Sequence, residues 1–107
     1  MTASIALLVL AVVALTVTNI VMVRHYAPVV SGSAQALPQV STALVLGTSH
    51  YSLDGKPSVH FAGRMDAAYR LFAAGRVERL LLSGANPSIH YNEPQRMREA
   101  LLERGIP

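Results

Sequence analysis

Two short stretches hold the residues best placed to do chemistry, Gly47-Thr48-Ser49-His50 and Ser83-Gly84-Ala85-Asn86. Each follows an apolar run and precedes a segment with helical spacing. Glycine directly after a strand lets backbone N–H groups approach a ligand, and a helix N-terminus favours anions. The chemistry suggested is binding of an anion. The plainer reading is that Gly47 and Gly84 merely turn the chain, and pattern alone leaves both readings open.

Arg64 falls in the expected first turn of one helix, where a cation opposes the dipole. It is either held there to meet an anion or is a solvated surface arginine. Glu93 is the mirror case, since an acid suits a helix N-terminus and helix stability alone accounts for it. Its place beside the same strand ends also makes it a candidate acid, base or hydrogen-bond partner. His50, His60 and His90 fall in loops near this edge, but no zincin-type spacing is present. Gly55-Lys56 is not a phosphate-binding loop, because Pro57 replaces the required Ser or Thr. There is no G-x-S-x-G elbow, and no motif names a cofactor.

The elements that must position these residues follow from periodicity. Ala43-Leu44-Val45-Leu46 is a continuous apolar run of the kind that forms a strand buried on both faces. Asp54-Gly55 marks a turn in the polar stretch after it. Phe61, Met65, Ala68 and Phe72 make one stripe of a helix over residues 61–74, with Asp66 and Arg70 spaced to pair on its polar side and Gly75 as its stop. Leu80-Leu81-Leu82 is the second strand. Asn92 caps the last helix, Gln95 completes a capping box, and Pro94 is tolerated in the first turn. Met97, Ala100 and Leu101 are its buried face, and Gly105 ends it.

Strand, helix, strand, helix implies parallel strands, with ligands expected at their carboxyl ends. Two strands alone do not make a stable doubly covered sheet. The 107-residue chain stops where such a pattern would enter its third strand. The expectation is a truncated domain or a piece of a longer protein.

Residues 3–23 carry no charge, and 21 such residues span about 30 Å as a helix, enough to cross a bilayer. Arg24 follows them. Ala34-Gln35-Ala36 has a small-x-small pattern, but it lies too far beyond the apolar run for signal cleavage, and no Lys or Arg precedes the run. The expected organisation is an uncleaved anchor over residues 1–24, a linker over 25–40 broken by Pro28, Gly32 and Pro38, and a partial α/β domain over 41–107. Arg24 alone leans towards a cytoplasmic C-terminal part. The chain has no cysteine, which excludes disulfides and thiol chemistry. Its net charge of +3 is scattered, so no nucleic-acid-binding stripe is expected.

An anchor helix, Ala43-Leu44-Val45-Leu46-Gly47-Thr48, Arg64-Met65, Leu80-Leu81-Leu82-Ser83-Gly84 and Tyr91-Asn92-Glu93-Pro94 with Met97-Arg98 stand in an order and spacing that resemble one family. It is the SanA-like branch of the SanA/YdcF family, the vancomycin high-temperature exclusion proteins of bacteria. The match runs over roughly residues 42–107. The resemblance implies a Rossmann-like parallel-sheet domain, here only its first β-α-β-α half, on the outer side of the cytoplasmic membrane. It implies a role in the barrier function of the cell envelope, with the lipid bilayer as one partner and a nucleotide-like ligand; a lipid-linked anionic precursor is a further ligand expected for a barrier-supporting protein. By motif position, Gly47, Thr48, Arg64, Ser83, Gly84, Asn92 and Glu93 belong to the family's site. The second half, with its further polar motifs, is absent from this chain. Three functions compete at this stage. They are a barrier-supporting binding protein, a hydrolase or transferase using Glu93 and Arg64, and a non-catalytic remnant.

Overall fold

A computed structural model describes residues 2–88 and 90–107. Met1 of the expected anchor and Ile89 of the expected loop lie outside the described residues. By its internal contacts the chain divides into two units, residues 1–32 and 33–107.

The first unit is one helix, α1 (Thr2–Tyr26), closed by a 3-10 turn at Ala27–Val29. Every side chain described along α1 is exposed. Such a rod is apolar around its whole circumference, and it is long and apolar enough to cross a membrane. Val and Ile are poor helix formers in water, but in lipid the backbone must satisfy itself, which favours the helix regardless. α1 continues past Val23 through Arg24, His25 and Tyr26, and Pro28 stops it by disfavouring helical backbone in the residue before it.

In the second unit, a 3-10 turn (Ala34–Ala36) leads into β1 (Val40–Leu46), α2 (Val59–Ala73), β2 (Val77–Ser83) and α3 (Glu93–Glu103). β1 and β2 pair in parallel, with Val40 opposite Val77 and Leu46 opposite Ser83, as the strand–helix–strand order requires. Both strands start three residues earlier than their apolar runs. Val40 N–H donates to Arg76 O at 2.9 Å, and the Gln39 amide donates to Gly75 O at 3.0 Å. These bonds carry the ladder into residues such as Glu78 and Arg79, whose charge disguises a strand.

α2 also starts earlier than expected, at Val59. Ser58 is the cap, and its hydroxyl accepts from Phe61 N–H at 3.3 Å. Both helices end at a glycine with positive φ, 64° at Gly75 and 90° at Gly105, a region where a Cβ would be strained. The expected Asp66–Arg70 pair does not form. Asp66 instead meets Arg104 at 3.1 Å, at the far end of α3. The expected capping box is half made, because Gln95 turns its side chain to Glu99 at 2.9 Å rather than back to Asn92.

The core sits between one face of the sheet and the two helices. Val45, Phe61, Met65, Ala68, Met97, Ala100 and Leu101 are buried, with Leu80 and Leu82 packed against them. Ala43 and Val45 pair with Leu80 and Leu82, so these residues share the covered face. The other face corrects the expectation of a strand buried on both sides. Leu44, Leu46 and Leu81 are each 59% exposed there, because both helices pack on the opposite face. The architecture is the first half of a parallel α/β domain, with two strands and two helices.

Candidate functional site

The carboxyl ends of both strands meet at the backbone. Gly47 N–H donates to Ser83 O, and the two chains then run so close that neither glycine has room for a side chain. A Cβ on Gly47 would lie 2.5 Å from Glu93 Oε2 and 2.8 Å from Gly84 Cα. A Cβ on Gly84 would lie 2.7 Å from Glu93 Oε2 and 2.8 Å from Glu93 Cβ. Neither residue has a positive φ. Gly47 and Gly84 are therefore required by close approach, and turning the chain does not account for them.

Glu93 is the residue they close upon. Its N–H donates to Ala85 O at 3.0 Å, and its Oε2 accepts from Ala85 N–H at 2.9 Å. Residues 85 and 93 thus exchange two bonds and pin the loop to the start of α3. Asn92 is used as the helix cap, accepting from Gln95 N–H at 3.0 Å through its side chain and from Arg96 N–H at 3.1 Å through its carbonyl. Pro94 has no N–H. The first turn of α3 therefore has no backbone donor left over for an anion, which corrects the expectation that both helix N-termini attract one.

Arg64 lies in the second turn of α2, because Ser58 starts that helix early. Opposition to the helix dipole thus loses its force as an argument. Its Nη1 donates to Leu46 O at 2.9 Å and to Gly47 O at 2.6 Å, holding the carbonyls that leave the sheet at the end of β1. No ion pair joins Arg64 to Glu93 among the described residues. The guanidinium's Nε and Nη2 donors keep no partner among the described residues. Those donors, rather than a helix end, are what this edge could offer an anion.

Tyr91 stands in the sequence motif without a role of its own, and the structure supplies one. Its hydroxyl accepts from His50 N–H at 3.2 Å and donates to Glu93 Oε1 at 3.4 Å. It thereby ties the loop after β1 to the loop after β2. A tyrosine two residues before an acid at a helix start was the available signal. The His50 ring packs edge-on against Phe61 and Tyr51, with centroids 4.5 and 4.7 Å apart, so it serves as loop packing. Among the described residues no three His, Asp or Glu side chains converge as metal ligands would.

The structure thus brings Gly47, Ser83, Gly84, Arg64 and Glu93 to one edge, joined through Gly47. Thr48 follows Gly47 half-buried, and Asn92 borders the edge as a cap. A hollow of about 390 Å³ lies elsewhere, along β2, lined by Leu80, Leu82, Leu101 and Ile106. Glu78, Arg79 and Arg98 also border it, and none of the residues clustered at the strand ends does.

The sequence was compared with known proteins. No family model matches the chain, and no solved structure matches it. Over 71 residues, 66% of the chain, it is 46% identical to a protein named "Protein SanA homolog" from Haemophilus influenzae. The matched part covers 29% of that relative's length. The SanA-like resemblance seen in the motifs is thus also present as extended identity.

Proposed function

We propose, taking the SanA-like sequence as premise, that this chain supplies the membrane anchor and the first half of the ligand-binding domain of an envelope protein that maintains the permeability barrier. The 46% identity to the SanA homolog carries this reading. α1 holds the protein in the cytoplasmic membrane as an uncleaved single pass, and the α/β unit stands on the outer side. The ligand is an anionic, lipid-linked or nucleotide-like envelope precursor. Arg64, fixed by two carbonyls through Nη1, presents its remaining donors to the anionic group. Glu93, fixed by Ala85, orients a hydroxyl of the ligand or a water.

One observation favours a second reading, a hydrolase or transferase. Among the described residues, Oε1 of Glu93 is held only by a 3.4 Å contact from Tyr91, so it is available to act as a general base.

The test uses a full-length SanA-type protein bearing Arg64→Ala or Glu93→Gln, expressed in a strain lacking its own copy. Loss of growth on vancomycin at raised temperature, with expression retained, is the expected result. Full complementation by both variants would defeat the site assignment. Alkaline phosphatase fused after His60 should be active, and an inactive fusion would place the domain inside the cell. N-terminal sequencing should find α1 retained, whereas a mature protein starting at Leu37 would contradict an anchor.

A further inference from the structure

Ser4, Thr18 and Asn19 of α1 have no hydrogen-bond partner among the described residues, and Asn19 is the one carboxamide among them. Thr16 returns its hydroxyl to Val12 O at 2.8 Å, which meets its need within the helix. Asn19 has no such bond, and its amide has no hydrogen-bond partner among the described residues. It lies four residues before Val23, about 6 Å inside the end of the uncharged run. Its short side chain is therefore poorly placed to reach the headgroups. An amide left bare in hydrocarbon is costly, and polar side chains in spans meet that cost by bonding across helices.

The spacing around Asn19 describes a seam. Ile5, Val9, Val12, Thr16, Asn19 and Val23 recur at intervals of four, three, four, three and four. That is the 3.5-residue period of helices that wind about each other, and β-branched residues with a single Asn are the pattern that fixes a pair in one register. Asn19 is the only amide on the seam. A carboxamide both donates and accepts, so it complements a copy of itself. Two copies inserted in the same sense carry Asn19 at the same depth, as a two-fold axis along the membrane normal requires.

We infer that α1 pairs in parallel with α1 of a second copy along this seam, the two Asn19 amides bonded to each other in the membrane. The inference rests on reading α1 as a membrane anchor. Its occupant is a second copy because a self-complementary group at a symmetric depth needs no other partner.

The chain has no cysteine, so single cysteines report on α1 without background. The full chain in its native membrane is treated with a mild oxidant. Val12→Cys and Val23→Cys, on the seam, should give disulfide-linked dimers, while Ala14→Cys and Val21→Cys, on the opposite face, should give few. Adding Asn19→Leu to Val12→Cys should weaken association about tenfold, and Asn19→Gln, which keeps the amide, should retain most of it. Thr18→Leu, off the seam, should change nothing. Equal cross-linking from both faces, no response to Asn19→Leu, or seam-specific cross-links only to a different protein would each overturn the pairing. An alkaline carbonate wash separates the two claims. Release of the chain sinks anchor and pairing together, whereas retention without seam-specific dimers sinks the pairing alone.

Discussion

The two crossings from strand to helix look alike in sequence but are built differently. Each begins with a glycine beside a small hydroxyl residue and leads to a charged residue at a helix. After β1, residues 47–58 run through a turn at Gly55 before Ser58 starts α2, and the nearby charge, Arg64, reaches back to the main chain that has just left the sheet. After β2 the connection is tied down at both of its ends. Glu93 locks onto Ala85, and Asn92 fills the remaining first-turn donors. One crossing keeps guanidinium donors in reserve, and the other uses every helix-end donor internally. Similar punctuation therefore does not imply similar chemistry, because the outcome depends on where each N–H finds its acceptor.

The largest expected effects come from filling the space between the crossings. Gly47→Ala should destabilise the chain by about 3 kcal/mol, measured by thermal unfolding in detergent micelles. Its new methyl meets the backbone at Gly84 Cα and Ser83 O as well as Glu93. Gly84→Ala should cost about 2 kcal/mol, since both of its closest contacts belong to the Glu93 side chain. A double-mutant cycle sharpens the contrast. Glu93→Gly should rescue much of the Gly84→Ala loss and little of the Gly47→Ala loss. Equal rescue at both would show that the main chains are not in contact and would dissolve the distinction.

Next come the charges and caps that make the crossings differ. Arg64→Ala removes two bonds to carbonyls and should cost about 1.5 kcal/mol. Lysine should restore much of this, because both bonds come from the single nitrogen Nη1 and an ammonium carries three donors. Asn92→Ala removes the α3 cap and should cost about 1 kcal/mol. If Asn92→Ala proved the more damaging, the cap of the second crossing would outweigh the guanidinium contacts of the first.

Much of this was legible in the residues. The apolar runs gave both strands, the stripe of Phe61, Met65 and Ala68 gave the buried face of α2, and Asn92 gave the start of α3. The strand beginnings were not legible, because Glu78 and Arg79 pair through their backbone while their side chains stay in solvent. Ser58 was overlooked as a cap because no capping box follows it, and that displaced Arg64 by a turn. At the edge, Gly47, Gly84 and Glu93 were named from spacing, but their mutual dependence is a matter of tenths of an ångström that no pattern carries. The role of Tyr91 was not legible because it needs His50, 41 residues away.

The smallest effect expected is at that tyrosine, and it tests whether the crossings act as one unit. Tyr91 OH stands between His50 N–H at 3.2 Å and Glu93 Oε1 at 3.4 Å. Both distances are at the long end for hydrogen bonds to a hydroxyl, so each bond is weak. Tyr91→Phe keeps the ring and its packing and removes only the bridge. Global stability should fall by about 0.5 kcal/mol, at the low end for a lost hydrogen bond. The local consequence should be larger. The part-buried His50 N–H loses its acceptor, so its hydrogen exchange should accelerate well beyond what the global change allows. The Ala85 N–H, which Glu93 holds through its other oxygen, should exchange as before. Acceleration confined to His50 would show that the second crossing is rigid on its own account and that the first leans on it through Tyr91. Acceleration at Ala85 as well would mean that Tyr91 fixes Glu93, which would reverse that dependence.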